Sequence, residues 1–313
     1  MTSQPVFAAQ PYAGIATFAR APYRPEPVPV DVAILGVPYD SSTSYRSGTR
    51  FGPRSIREQS LLLWGYNNAL QVKPLEVLRV VDAGDVDVVP PSIVDTHRAI
   101  DNHIRRWLDV GAQVIAVGGD HSLSLPALRA QAAKHGPVAL IHFDAHPDTW
   151  DSEYPNQKYS HGTPFIRAIE EGLVDAAAYV QLGIRGPTAG PSDYEDALRL
   201  GAKMITLDDF RRIGLEASIR TLRETVGDRP VYVTLDIDCV DPAFAPGTGT
   251  PEVGGLTSWE ILQLVRGLAG LKLVGGDVVE VSPPYDHAGI TAILAANLVF
   301  ELLSLLALQR QST

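Results

Sequence analysis

The sequence predicts an α/β protein, a single domain with a mainly parallel central sheet covered by helices on both faces. Short β-branched runs alternate with helical segments along most of the chain, the pattern that builds parallel sheets. Of the 313 residues, 45% are apolar, ample for a core on two sides of a sheet. The 27 Gly and 24 Pro are scattered rather than clustered, so they mark tight turns and not disorder. No internal repeat, low-complexity tract or linker divides the chain.

Residues 1–30 are rich in Pro, Ala and aromatics without periodicity. They are expected to form an irregular arm that wraps the domain surface or a neighbour, with the domain proper over 31–313. A β-branched run over 31–37 ends at Pro38 and predicts the first strand. The Ser-, Thr-, Arg- and Gly-rich stretch 39–52 predicts a long loop, and Pro53 suits the first turn of a helix. The second strand is predicted over 77–81, followed by an acidic turn, Asp82-Ala83-Gly84-Asp85. A helix is predicted through His97, Ile100, Ile104 and Leu108, which share one face. The other strands are predicted over 113–117, 137–144, 179–184, 203–207, 231–238 and 271–281. The helices between and after them fall near 123–135, 162–172, 192–200, 215–226, 257–268 and 289–307. Residues 290–308 are apolar-rich but interrupted by Thr291, Asn297, Glu301 and Ser304, so no membrane span of roughly 20 residues is expected.

Candidate chemistry concentrates where strands end. Ile141-His142-Phe143-Asp144-Ala145-His146-Pro147-Asp148 begins apolar and ends in Asp144, His146 and Asp148, spaced every second residue. Side chains two apart on a strand share a face, so three donors aim near one point. Pro147 cannot continue a ladder, which places them at the strand mouth. Carboxylates with imidazole suit a divalent cation of intermediate hardness, such as Mn, Co, Ni or Zn. The competing reading, Asp residues capping a loop beside an exposed His, loses ground on the other strands. Strand 113–117 exits into Gly118-Gly119-Asp120-His121, strand 231–238 ends in Asp236-Ile237-Asp238, and strand 271–281 carries Asp277 and Glu280. Open parallel sheets bind ligands outside the carboxyl ends of their strands. Four carboxylates there repel one another unless cations neutralise them. Six donors are too many for a single catalytic zinc and fit a pair of ions.

Three motifs resemble the metal motifs of the ureohydrolases, the arginase and agmatinase family: Gly118-Gly119-Asp120-His121, Asp144-Ala145-His146-Pro147-Asp148 and Asp236-Ile237-Asp238. The third continues through Asp241-Pro242-Ala243-Phe244-Ala245-Pro246-Gly247-Thr248-Gly249-Thr250-Pro251-Glu252, similar to the signature of the agmatinase-like branch. The resemblance runs from about Asp31 to the C-terminus. It implies a three-layer α/β/α fold, two Mn2+ ions (with Ni2+ or Co2+ as substitutes) and hydrolysis of a guanidino compound to urea and an amine. It implies a first metal held by His121, Asp144, Asp148 and Asp236, and a second by His146, Asp144, Asp236 and Asp238. Asp148 would pass the proton to the leaving nitrogen, Glu280 would pair with the substrate guanidinium, and His161 would shuttle protons, unless it only caps the following helix. Thr250 and Trp150 would line the pocket. Homo-oligomers, trimers or hexamers, are expected.

Arginases typically carry Asn where this chain has Trp150, which favours a substrate without an α-amino acid group. The segment 149–160 holds Asp151, Glu153 and Lys158, a mildly acidic rim that favours a cationic tail, hence agmatine, giving putrescine and urea. Arg46 and Arg50 would favour an anionic tail, as in guanidinobutyrate or guanidinopropionate, and Trp150 with Tyr45 would suit small guanidines or biguanides. A single-zinc amide deacetylase and a non-catalytic subunit of a ureohydrolase assembly are the alternatives from other classes.

Charge and cysteine usage bound the partners. With 26 Lys plus Arg against 36 Asp plus Glu, the net charge is −10 without any basic run, which argues against nucleic acid and anionic membrane. The lone Cys239 excludes an intramolecular disulfide and fits a reducing compartment. It is read as a small core residue rather than a nucleophile. No secretory segment is visible, so a cytoplasmic protein is expected.

Overall fold

In the computed structural model, which describes residues 10–312, eight strands form one sheet in the order β2-β1-β3-β8-β7-β4-β5-β6. They are β1 Val32–Val37, β2 Val80–Asp85, β3 Gln113–Gly118, β4 Val138–Phe143, β5 Val174–Ile184, β6 Lys203–Thr206, β7 Val231–Asp236 and β8 Leu273–Val279. Every neighbouring pair is parallel. The helices are α1 Gly52–Ser60, α2 Pro74–Val77, α3 Ile93–Asp109, α4 Ser124–His135, α5 Pro164–Glu170, α6 Ser192–Arg199, α7 Leu207–Ile213, α8 Leu215–Val226, α9 Ser258–Arg266 and α10 Ile290–Ser312.

The strand period of two divides the core into two layers. Ile34, Ile115, Ile141, Phe143, Val233 and Leu235 point to the side covered by α1, α8, α9 and α10. Leu35, Val114, Ala116, Leu140 and Tyr179 point to the other, where α3, α4 and α5 contribute Ile104, Trp107, Leu128 and Phe165. His142 and Asp144 have the parity of Leu140, so their side chains stand on this second side. Local signals place the helices. Ser92 caps α3 by accepting from Asp95 N, and Thr257 with Glu260 closes a capping box at α9. The helix α10 is long and apolar enough to cross a membrane, with mean hydropathy 2.1, but 83% of that stretch is buried, chiefly against α1, α2, α9 and β8. It is the central core helix of one layer.

Several boundaries differ from the sequence expectation: β5 starts five residues early, β7 and β8 are shorter, and the short helices α2 and α7 are additional to it. Two differences have a clear physical cause. The acidic turn predicted over 82–85 is the body of β2. Arg57 neutralises it, donating to both carboxylate oxygens of Asp82 at 2.9 and 3.0 Å and to Asp85 at 2.6 Å. The strand predicted through residue 207 stops at Thr206, whose side chain caps α7 by accepting from Asp209 N. Of the expected arm, residues 1–9 lie outside the described residues. From Phe18, fully buried, the arm lies on its own domain. Phe18 N donates to Asp82 and Arg24 N to the Asp82 carbonyl.

Strands β3, β8, β7 and β4 are consecutive across the middle of the sheet. Their carboxyl ends therefore bring His121, Glu280, Asp236, Asp238 and the Asp144–Asp148 segment to one mouth.

Candidate active site

Each donor reaches the mouth by a specific backbone device. After β3 the chain turns at Gly119, where a Cβ would lie 2.4 Å from the Val37 carbonyl oxygen and 2.5 Å from that of Tyr39, so only glycine fits. Asp120 then accepts from the N–H and hydroxyl of both Ser42 and Ser122, fixing the turn that presents His121. Asp148 and Glu280 both adopt left-handed backbone, φ 48° and 64°. Non-glycine residues hold such angles at a cost of roughly 1–3 kcal/mol, and functional sites are where they cluster.

Around His121 Nδ1, fully buried, lie three carboxylate oxygens from three residues: Asp148 Oδ2 at 2.9 Å, Asp144 Oδ2 at 3.1 Å and Asp236 Oδ2 at 3.2 Å. None of them is aligned with the ring plane for a good hydrogen bond from Nδ1. The other edge of the ring explains why Nδ1 is the nitrogen turned to the carboxylates. Asp277 accepts from the hydroxyls of Thr234 at 2.6 Å, Ser124 at 2.8 Å and Tyr232 at 2.8 Å. Thr234 has thereby spent its one proton, so it accepts from His121 Nε2–H at 2.8 Å. Nδ1 is left facing the carboxylates, where a metal can replace its proton.

A second cluster adjoins the first. His146 Nδ1 is 3.1 Å from Asp238 Oδ2 and 3.5 Å from Asp144 Oδ1. Asp144 thus turns one oxygen to each histidine. Asp238 is held by Ala145 N at 3.1 Å and by the Thr250 hydroxyl at 3.2 Å. Behind Asp144 stands His142, with Nε2 at 2.7 Å from Asp144 Oδ2 and Nδ1 at 3.0 Å from the Tyr179 hydroxyl.

Glu280 ties the wall together. Its Oε1 accepts from His121 N at 2.9 Å and from His161 Nδ1 at 3.0 Å, while its buried Oε2 has no partner among the described residues. His161 does not cap α5; its Nε2 lies 2.8 Å from the Ser44 hydroxyl and accepts from Ser44 N at 3.0 Å. The cavity above is about 80 Å3, walled by Ser44, His146, Asp148, Trp150, Glu153, His161, Gly162, Asp236 and Thr250.

The electrostatics are those of a site built for cations. Burial, with the charge of Asp144, pushes Asp148 up to about 7, and burial with Asp238 and Asp144 raises Asp236 well above the usual range. For His121 and His146, burial opposes the charge, but the surrounding carboxylates overcome it and raise both well above 6.5. For His161 burial likewise opposes charging, and Glu280, Glu153 and Asp148 outweigh it, lifting the ring to about 10. The Ser44 N–H pointing at Nε2 resists that second proton. The carboxylates are thus only tolerable with positive charge among them, as protons or as metal.

The six expected metal ligands, with His161, Glu280, Trp150 and Thr250, meet at this mouth, whereas Tyr45, Arg46 and Arg50 do not line the cavity. Three participants were not singled out: Ser44 and Thr234, which carry no sequence signal, and Asp277, visible at a strand end but assigned no partner. Arg50 is tied to Asp40, and His287 is exposed outside the cavity. Cys239 is buried, and burial first, then Asp238, pushes its thiol far up, so it is no nucleophile.

A family model described as the arginase family matches residues 30–304. The chain is 46% identical to a guanidinopropionase of Pseudomonas aeruginosa over 97% of this chain and 96% of that one. It is 48% identical to proclavaminate amidinohydrolase of Streptomyces clavuligerus over 93% of each. The solved structure of the Streptomyces clavuligerus protein matches with a TM-score of 0.92, covering 96% of this chain and 99% of that one. A mitochondrial agmatinase of Gallus gallus is 43% identical over 96% of this chain and 88% of the relative. Together with the all-parallel sheet and the His/Asp clusters at its mouth, these matches establish that the chain belongs to the arginase family, as a ureohydrolase acting on guanidino compounds.

Proposed function

We propose that the protein hydrolyses a guanidino compound with a cationic tail, of the agmatine type, to urea and an amine, using two divalent ions. Manganese suits the oxygen-rich donor set best, with nickel or cobalt as substitutes. The observation that carries this reading is the convergence of three carboxylates on Nδ1 of His121, beside a second cluster that shares Asp144. A buried ring nitrogen facing three carboxylate oxygens fits a cation, which takes the place of the proton held there without metal. His121, Asp144, Asp148 and Asp236 would hold one ion and His146, Asp144, Asp236 and Asp238 the other. When bound, such ions lower the pKa of water and so supply a nucleophile at neutral pH.

The chain's own groups do the rest. The unpartnered Oε2 of Glu280 accepts an N–H of the substrate guanidinium and orients its carbon towards the metal ligands. Asp148, at the cavity wall, takes the proton of the attacking water and delivers it to the nitrogen that leaves. His161 then exchanges protons between Glu280 and the Ser44 side of the cavity. A single-zinc deacetylase would not call for the second His/Asp cluster.

One observation favours a second reading, an anionic tail. Arg46 stacks over Tyr45 and Tyr285, 5.2 and 4.9 Å from the ring centroids, and pairs with no carboxylate among the described residues. The test is urea release from a panel of guanidino amines and acids after reconstitution with Mn, Ni, Co or Zn, together with elemental analysis. We expect two ions per chain and turnover of the amines. No urea from any guanidino compound, or saturation at one ion, would overturn the proposal.

A further inference from the structure

We infer that Glu153 reads the tail of the substrate, and that the substrates carry a second N–H-bearing cationic group a short spacer away from the guanidinium. The inference rests on the ureohydrolase reading and adds the chemistry that selects among guanidino compounds.

Glu153 lies in the cavity wall with its side chain only 16% exposed. One carboxylate oxygen is anchored: Oε2 accepts from the Ser160 hydroxyl and from Gly162 N at 2.9 Å. Gly162 allows this approach, since a Cβ there would lie 2.6 Å from Glu153 Cδ and 2.8 Å from Trp150 Cε3. The other oxygen, Oε1, makes no hydrogen bond among the described residues. Its nearest cationic neighbour is His161 Nε2 at 3.8 Å, and Ser44 already occupies that nitrogen. Among the described residues two carboxylate oxygens thus lack donors, Oε1 of Glu153 in the cavity wall and the buried Oε2 of Glu280 at the other nitrogen of the lining His161 ring. A guanidinium on Glu280 leaves Glu153 facing the substituent. An anionic tail would meet a like charge at low dielectric, whereas a protonated amine or amidine would meet an acceptor.

Arg46 does not reverse this, because it is absent from the cavity wall and its guanidinium is taken up over the two tyrosine rings. The volume of about 80 Å3 favours a short spacer, since typical small-molecule sites span roughly 300–1,000 Å3. Trp150 supplies an apolar wall for the methylenes between the two polar ends.

The test compares aminoalkylguanidines with guanidino carboxylic acids of equal length, across spacers of two to four methylenes, in wild type and Glu153→Gln. Glutamine keeps an oxygen for Ser160 and Gly162 N but offers an NH2 group in place of Oε1. For wild type, kcat/KM for each amine should exceed that for the matching acid by about tenfold or more, as expected for one fixed charge at a partly desolvated site. In Glu153→Gln that ratio should fall by about tenfold, mainly through KM. Glu153 also lies near His161, but any effect through that ring acts on both substrates and cancels in the ratio. Glu153→Asp, which keeps the charge, should retain the preference, and 1,4-diaminobutane should inhibit wild type better than 4-aminobutanoate. Preference for the acids, or a ratio unmoved by Glu153→Gln, overturns the inference while leaving ureohydrolysis intact. Absence of urea from every compound removes both together.

Discussion

The position of one proton decides whether His121 can take a metal. Asp277 is buried, accepts three hydroxyls, and through Thr234 forces the His121 proton onto Nε2. Thr234→Val removes the acceptor, and Asp277→Asn lets Thr234 turn its proton towards the ring. Either change should weaken Mn binding by about 10–100-fold, the usual cost of losing a group that orients a ligating histidine. Isothermal titration with Mn would show it, and Thr234→Ser should restore affinity; unaltered binding in both variants would remove the role assigned to Asp277. Glu280→Gln should cut turnover by about 100-fold or more while metal content stays near wild type, because its Oε2 addresses substrate rather than ions. Asp148→Asn should lower both. At this scale the sequence displays ligands well and their supports poorly. Alternating Asp and His at strand ends advertise themselves by spacing, whereas Thr234 matters only because β7 registers it beside Asp277 on β8. Glu153 was legible as a charge in an acidic loop, but its anchored and free oxygens arise only when Gly162 closes beneath it.

Among the elements, the eight strands were readable because buried parallel strands are short apolar, β-branched runs whatever their neighbours. Boundaries failed where a distant side chain changed the meaning of a residue. Asp82 and Asp85 read as a turn until Arg57 from α1 neutralises them inside β2. Nor does the sequence show what holds the loop after β7. Arg185, just past β5, donates to the carbonyls of Asp238 at 2.8 Å, Glu252 at 2.6 Å and Val253 at 3.1 Å, and to those of Gly183 and Cys239, each at 3.2 Å. One guanidinium thus fastens both ends of the segment that carries Asp238 and Thr250. Arg185→Met would leave these carbonyls without a charged donor and should destabilise the fold by about 2–3 kcal/mol. The damage should fall on the His146–Asp238 cluster, leaving one tightly held ion where wild type has two. Lysine should rescue little, since a single ammonium cannot reproduce a planar fork of five donors. Thermal melts and metal stoichiometry on Arg185→Met and Arg185→Lys check this; two ions retained with unchanged affinity would contradict it.

For the molecule as a whole, metal and protons compete to neutralise the same buried charges, and stability should report the contest. Without metal, Asp148 titrates near 7 in the folded protein against about 3.9 when unfolded. Between those values the folded state binds more protons, so its stability is greatest at low pH and falls as pH rises through 7. Asp236 is raised by the same causes and contributes in the same direction. His121 and His146 are raised above 6.5, so their contributions are complete below 6.5 and decline as pH climbs through their folded values. A group elsewhere opposes this trend. His97, on α3 against Tyr159, is buried, and burial first, then the charge of Arg129, pushes its ring down to about 3. Its contribution is present above 6.5 and lost as pH falls towards 3, which bounds stability on the acid side with or without metal. Binding of divalent ions must expel the protons held by the four site groups, so affinity rises with pH. His97 acts equally on both forms and drops out of the difference between them. The gap in unfolding free energy between Mn-loaded and chelator-stripped protein should therefore widen from pH 5.5 to 8.5, by about 1.4 kcal/mol per pH unit for each proton displaced. Calorimetry of both forms across that range measures the gap directly. A gap independent of pH would mean that the ions do not sit among these carboxylates and histidines.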